Sequence, residues 1–228
     1  MTSRSLHVPL MLALTFSTGI GDAVGYLHLD RVFTGNMTGN VVILGMALAG
    51  ADDLPVVGPL LALGGFMLGA ALGGLVLRGL PAGWFRRTTV LFGVVAAVLA
   101  SQAVVLGLVP SPDEIAGPAI ATTLAAAMGL QAATARHLSV KDVTTVVVTS
   151  TITALASDTL GSRSTGIVNR RLVAIVAICA GAAIGALLLR WNAGAAIGLA
   201  ALLTAGVAFV GHTTIEITDP VETSQETR

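Results

Sequence analysis

The chain has 228 residues, of which 54% are hydrophobic and 11% are charged. Soluble domains carry about 25% charged residues, so this composition excludes a domain with a wholly water-facing surface. Lys and Arg together number 12, as do Asp and Glu, which excludes a basic face for nucleic acid. The single cysteine, Cys179, excludes a disulfide framework and a cysteine-based metal site.

Apolar stretches long enough to cross a membrane recur along the chain, since a spanning helix needs about 20 mostly apolar residues. Six stretches meet this requirement: Val8–Leu27, Pro55–Leu77, Val90–Leu108, Ala116–Ala135, Leu172–Leu189 and Ala193–Val210. Two weaker stretches, Phe33–Ala49 and Val143–Leu160, carry many polar or small residues and are ambiguous. We predict an all-α integral membrane protein with one membrane domain over residues 1–212 and a polar tail over 213–228.

The two halves of the chain resemble each other. The run from Asp22 to Leu29 is matched 109 residues later by the run from Gln131 to Leu138, which pairs Gln131 with Asp22. Gly69–Arg78 is matched by Gly181–Arg190 at seven of ten positions. Because the matches follow the same order, we predict two repeats, over about residues 8–108 and 116–212.

Basic residues indicate how the repeats are oriented. If both weak stretches are re-entrant, ten basic residues lie on one side and only Arg31 and Arg190 on the other. If all eight stretches cross, the split is seven against five. Since basic residues concentrate on the cytoplasmic side, we favour two inverted repeats of three spanning helices, each with one re-entrant or broken segment. Both termini are then cytoplasmic. Eight spans in parallel repeats are the alternative.

The first weak stretch opens with residues that break regular structure, from Thr34 to Asn40. Thr, Gly and Asn favour turns and helix N-caps. We therefore expect an extended entry followed by a half-helix that begins within the membrane near Thr38. Thr144–Thr153 is expected to enter from the other side. Two converging half-helices are the way in which broken-helix transporters build a binding site.

Gly21-Asp22-Ala23, followed by Phe33–Asn40, Met128–Gln131 and Asp142–Thr145, resembles the YoaK-like family of bacterial transmembrane proteins. The resemblance extends roughly from Leu10 to Val210, and Asn-Met-Thr-Gly-Asn is its most specific part. It implies a multi-span protein of the bacterial inner membrane. Because the family's domain has no known function, it supplies no substrate, cofactor or reaction.

Polar residues inside the apolar stretches are the candidate binding residues. A carboxylate within a span is costly and commonly marks an ion or substrate path, although Asp22 could also be structural. The predicted substrate- or ion-binding residues are Asp22, Asn36, Thr38, Asn40, Gln131, Thr145, Thr149 and Thr151. The alternative for the amides and hydroxyls is hydrogen bonding between helices, worth about 0.6 kcal/mol per contact. We also expect Asp22 to lie within side-chain reach of Asn36 or Asn40.

Two pairs of glycines have the Gly-xxx-Gly spacing at which helices pack closely, Gly69 with Gly73 and Gly181 with Gly185. The spacing leaves open whether they pack within the chain or in a homo-oligomer.

The sequence favours a transporter or channel for an unidentified small solute, with Asp22 coupling a proton or cation. The alternative is a non-transporting membrane assembly or sensor protein. No catalytic motif is present, so we expect no enzyme activity, and neither a cofactor nor a metal site is indicated. The expected partners are the lipid bilayer and the solute.

Overall fold

The computed structural model describes residues 3–51, 53–109, 111–138, 152–153, 156 and 165–214. Every regular element within these residues is a helix, which confirms the all-α prediction. The helices are α1 (Ser3–His28), α2 (Met37–Leu48), α3 (Val57–Leu77), α4 (Arg86–Leu108), α5 (Ala116–His137), α6 (Thr165–Leu189) and α7 (Ala193–Thr214). The predicted second weak stretch and polar tail fall mostly or wholly outside the described residues.

Five of these helices are long and apolar enough to cross a membrane: α1 from His7, α3, α4, α6 from Arg170, and α7. The sixth predicted span, α5, has 22 residues but is less apolar, because it carries several threonines and Gln131. Most of α5 is buried against its neighbours. A helix enclosed by other helices contacts little lipid, so it tolerates hydroxyls and amides that a lipid-facing helix avoids.

The helices pack in three main pairs. Helices α3 and α5 are parallel, since Gly65 lies against Thr122 and Gly73 lies against Leu130. Helices α1 and α6 are also parallel, with Gly19 against Ile178 and Gly185 against Ile20. Both pairs use glycines to bring two backbones into contact, as the Gly-xxx-Gly spacing predicted.

The third pair, α4 with α7, is antiparallel. Gly194 at the start of α7 lies beside Gly107 near the end of α4, while Gly211 lies against Trp84 just before α4 begins. Trp84 also stacks on His7, near the start of α1, with ring centroids 6.3 Å apart. These contacts define one end of the bundle, which holds the start of α1 and α4 and the end of α7.

Both Gly-xxx-Gly pairs make contacts between helices of the same chain. A Cβ added at Gly69 would overlap the carbonyl oxygen of Ala126, and one added at Gly181 would overlap that of Phe16. Small residues at such crossings let helices approach until their backbones touch. The faces that carry Gly69 and Gly181 are therefore occupied by α5 and α1 and are not free for a second copy.

Helix α2 is too short to cross the membrane. Its 12 residues span about 18 Å at 1.5 Å per residue, against about 30 Å of hydrocarbon. The chain leaves α1 and returns to α3 at the same end, because the Asp30 carboxylate lies against Gly58 at the start of α3. Arg31 also donates a 3.1 Å hydrogen bond to the carbonyl oxygen of Asp53. The segment 29–56 thus leaves α1 and returns to α3 at one end of the bundle, and we call it the re-entrant segment.

Both ends of this re-entrant segment adopt left-handed backbone conformations. The non-glycine residues with positive φ in the described chain are Asp30 at 59°, Arg31 at 55° and Asp53 at 59°. Such conformations are disfavoured for residues with a Cβ and usually mark a sharp reversal of the chain. Burial raises the pKa of Asp30, with the charge of Arg31 opposing this shift and that of Glu114 adding to it, so the start of α5 lies at the same end.

Candidate functional site

Asp22 lies on α1, six residues before the helix ends, and is 9% exposed. Its Oδ1 atom accepts hydrogen bonds from the backbone N–H of Gly35 at 2.7 Å and of Asn36 at 3.3 Å, and from the Thr34 hydroxyl at 3.4 Å. Within the described residues, these hydrogen bonds all reach one carboxylate oxygen, Oδ1.

The sequence of the re-entrant loop explains how it reaches Asp22. Asn36 is the N-cap of α2, and its side-chain oxygen accepts from the Gly39 N–H at 3.3 Å. This ends the extended stretch and starts the helix one residue before the predicted Thr38. Gly35 is required because a Cβ there would lie 2.6 Å from the Thr18 side chain. Because Gly35 has no Cβ, the loop lies directly on α1.

Asn40 holds the other side of the loop. Its Oδ1 accepts from the Phe33 N–H at 2.8 Å, and its Nδ2 donates to the Phe33 carbonyl oxygen at 2.7 Å. Gly39 leaves room for the Phe33 ring, since a Cβ there would lie 2.6 Å from it. The ring in turn stacks on Tyr26, with centroids 5.0 Å apart. The Asn-Met-Thr-Gly-Asn run thus shapes a turn that presents backbone N–H groups to Asp22.

The predicted site residues of the first half divide into two groups. The expected contact between Asp22 and the Asn-Met-Thr-Gly-Asn run is present, but it is made by the backbone N–H of Asn36 and not by a side-chain amide. Asn36 and Thr38 are exposed, and their remaining polar atoms are available to a ligand. Asn40 is 1% exposed, and its amide is committed to Phe33. Asn40 therefore positions the loop.

Gln131 belongs to a separate buried network between α1, α5 and α7. Its Nε2 donates to the Thr18 hydroxyl at 3.3 Å, and its Oε1 accepts from the Thr204 hydroxyl at 3.5 Å. Thr204 lies 3.4 Å from the Ser17 hydroxyl, and Ser17 also donates to the carbonyl oxygen of Ala200. This network joins three helices near the middle of the bundle, one helical turn from Asp22 through Thr18.

The matching of Gln131 with Asp22 is wrong by one residue. Gly19 of α1 lies against the backbone of Ile178, and Gly129 of α5 lies against the backbone of Phe66. The same kind of glycine contact therefore recurs in α5 at an offset of 110 residues. At that offset Gln131 corresponds to Gly21. A shift of one residue along a helix changes the direction of the side chain by about 100°, because one turn contains 3.6 residues. Gln131 accordingly points to Thr18 and Thr204.

Thr145, Thr149 and Thr151 lie outside the described residues. The residues that sequence analysis missed are Ser17, Thr18 and Thr204, all buried. Thr18 had a signal, because it precedes Asp22 by four residues and therefore shares its helix face. Within the described ranges, no group of three or more His, Cys, Asp or Glu side chains could hold a metal ion.

Long apolar helices and a re-entrant loop buried against a carboxylate define a multi-span membrane protein. The chain belongs to the family described as "Protein of unknown function (DUF1275)", whose model matches residues 10–210. It is similar to the UPF0700 transmembrane protein YoaK of Bacillus subtilis (strain 168), with 30% identity over 206 residues, covering 82% of this chain and 86% of the relative. No solved structure matches the chain. The predicted resemblance to the YoaK-like family is confirmed.

Proposed function

We propose that the protein moves a small solute across the membrane, as a transporter or channel, and that Asp22 binds a proton or the solute through Oδ2. The observation that carries this proposal is the unequal use of the two carboxylate oxygens. Oδ1 receives three hydrogen bonds and fixes the re-entrant loop, while Oδ2 receives none from the described residues. A carboxylate kept inside a spanning helix commonly marks the path of an ion or a solute.

The exposed polar groups beside Asp22 support the same proposal. Asn36, the N-cap of α2, and Thr38, its second residue, are exposed at the depth of Asp22. Lipid cannot satisfy an amide or a non-helical backbone, so such groups within a membrane face protein or a wet cavity. A water-filled path past Asn36 and Thr38 to Oδ2 would meet this requirement.

The same geometry favours a neutral solute. The N-terminus of a helix carries partial positive charge and attracts anions. In this protein Asp22 already occupies that position at the start of α2, with the N–H groups of Gly35 and Asn36 turned toward it. We therefore propose a neutral solute with hydrogen-bonding groups, moved together with a proton.

We further propose that the helices form two inverted repeats of three crossings each, with the termini in the cytoplasm. In this arrangement α1 corresponds to α5, α3 to α6 and α4 to α7. The contact between α1 and α6 then corresponds to the contact between α5 and α3, and the contact between α4 and α7 corresponds to itself. The parallel course of α1 with α6 and of α3 with α5 then makes matched helices run in opposite directions. Inverted repeats of this kind place their binding sites near the middle of the membrane.

The test is flux into proteoliposomes, measured with a panel of neutral and charged metabolites under an imposed pH gradient. Asp22→Asn keeps an oxygen that can accept from Gly35 and Asn36 but replaces the other oxygen with an amide that cannot take up a proton. We expect the variant to fold as the unchanged protein does and to lose proton-coupled flux. Equal flux from the unchanged protein and Asp22→Asn would reject the role of Asp22. Absence of flux for every solute would favour the alternative, a non-transporting assembly or sensor protein.

A further inference from the structure

Three arginines flank the loop between α3 and α4: Arg78 directly follows α3, and Arg86 and Arg87 begin α4. Arg78, Arg86 and Arg87 are exposed and lie within ten residues of one another. Between them, Trp84 is 2% exposed and Phe85 is 4% exposed. The Trp84 indole donates to the Thr89 hydroxyl at 2.9 Å and its ring packs against Phe92 at 5.6 Å. The buried aromatic residues therefore fix the backbone next to which the three arginines stand.

These arginines have no carboxylate partner in the described part of the chain. The Arg87 guanidinium donates to the carbonyl oxygen of Val76 at 3.0 Å, which orients the group without neutralising its charge. Of the described acidic residues, Asp22 lies within α1. The others lie at the opposite end of the bundle, near the end of α1 and the starts of α3 and α5: Asp30, Asp53, Asp113 and Glu114. Within the described residues, three positive charges without a carboxylate partner therefore flank one short loop.

The residues around the loop indicate which ligand neutralises the charge of the three arginines. Exposed apolar side chains adjoin the arginines on both helices, with Leu75 63%, Val76 41% and Val90 57% exposed. In a membrane-spanning chain such side chains face acyl chains. The arginines next to them therefore stand at the level of the lipid headgroups. A guanidinium forms paired hydrogen bonds with phosphate oxygens, and basic clusters beside spanning helices attract anionic lipids.

We propose that Arg78, Arg86 and Arg87 form a binding surface for the phosphate headgroups of anionic phospholipids, which we call the arginine loop. The proposal is independent of transport and of Asp22. Rigid presentation lowers the ordering cost of binding, because the loop does not have to be immobilised by the lipid. Each arginine contributes about a fivefold change in affinity at a membrane surface.

The experiment titrates the detergent-purified full chain with phosphatidylglycerol, and separately with phosphatidylcholine, while thermal unfolding is recorded. A ligand that binds only the folded state raises the unfolding temperature, and the stabilisation grows with the logarithm of the ligand concentration divided by Kd. The combined variant Arg78→Gln, Arg86→Gln, Arg87→Gln should bind phosphatidylglycerol about a hundredfold more weakly. The single variants Arg86→Gln and Arg190→Gln form a matched pair, since both residues are exposed and lie at opposite ends of the bundle.

We expect Arg86→Gln to weaken the response to phosphatidylglycerol about fivefold and Arg190→Gln to leave it unchanged. Equal stabilisation of the unchanged protein by phosphatidylcholine would overturn the proposal. So would an undiminished response of the triple variant, which would point instead to an acidic protein partner for the loop. An equal loss in Arg190→Gln would show that net charge, and not this loop, determines lipid binding. Unfolding without lipid should be the same for Arg86→Gln and Arg190→Gln, because both side chains are exposed. The response of the triple variant is measured from its own lipid-free unfolding temperature, because it loses the bond from Arg87 to Val76.

Discussion

The side-chain amide of Asn40 is bonded at both its atoms to the backbone of Phe33, with distances of 2.8 and 2.7 Å. One planar group thus satisfies the donor and the acceptor of a residue in a non-helical stretch. Phe33 immediately precedes the residues that bind Asp22. The geometry of the carboxylate therefore depends on an amide that does not touch it.

Asn40→Leu should lower the free energy of unfolding by roughly 2–5 kcal/mol, because it leaves the half-buried N–H and carbonyl oxygen of Phe33 without partners. Thermal or denaturant unfolding in detergent measures the change. Asn36→Ala is the control, since it removes only an exposed helix cap and should cost about 1 kcal/mol. Equal costs for the two variants would show that the bonds from Asn40 to Phe33 contribute little.

Asp22→Leu and Asp22→Asn should differ sharply in stability. The leucine leaves the N–H groups of Gly35 and Asn36 without an acceptor, at roughly 1–3 kcal/mol for each. The asparagine keeps an oxygen in the same place and should cost little. Unfolding of the two purified variants, compared at matched detergent concentration, measures the difference. If both were as stable as the unchanged protein, the loop would not depend on Asp22 for its position.

Gly69→Ala should destabilise the protein, since the added methyl group would overlap the carbonyl oxygen of Ala126. Moving two packed backbones apart costs about 1–3 kcal/mol or more. Gly74→Ala is a close control on the same helix, because a Cβ there meets nothing within 4 Å. Gly181→Ala should behave as Gly69→Ala does. The stability of Gly74→Ala, measured in parallel, separates packing from the general effect of adding a methyl group, and a similar loss there would contradict the packing argument.

Cysteine labelling tests the orientation of the bundle. In a background that lacks Cys179, cysteines at Asp52, Glu114 and Arg190 should react with an impermeant thiol reagent from the periplasm, and those at Arg86 and Ser164 only from the cytoplasm. Glu114 interacts with Asp30 at one end, whereas Arg86 follows Trp84 at the other. Labelling of Arg86 and Ser164 from opposite sides would reject six crossings with two re-entrant segments.

The helix limits were largely predictable because membrane thickness fixes the length of a spanning stretch. Ala193 begins α7 as predicted, and Leu77 and Leu108 end α3 and α4 as predicted. The start of α2 was predictable to one residue, since asparagine before a helix is a common cap. What the sequence did not determine was helix packing. Glycine spacing indicates a close contact, but it does not identify the helix that makes it.

The detail of the site was less predictable for a related reason. Asp22 is bound by backbone N–H groups, which every residue except proline carries and which leave no mark in a sequence. The choice between Asn36 and Asn40 as neighbours of Asp22 also depended on backbone direction, which residue types do not specify. The error over Gln131 had a different cause. A similarity of apolar repeats leaves their alignment uncertain by one residue, and on a helix that difference decides which neighbour a side chain meets.

The interleaved pairing of the helices has a consequence for biosynthesis. Among the described elements, the backbone of α1 does not approach that of α3 or α4 closely, and its main partner is α6. Likewise α3 packs chiefly on α5. When the first four helices have left the ribosome, the glycine surfaces of α1 and α3 therefore have no native partner and can only face lipid. The first half of the chain is not an independent folding unit. Insertion of its helices must precede their final packing, which begins when α5 arrives and is completed after α6 and α7.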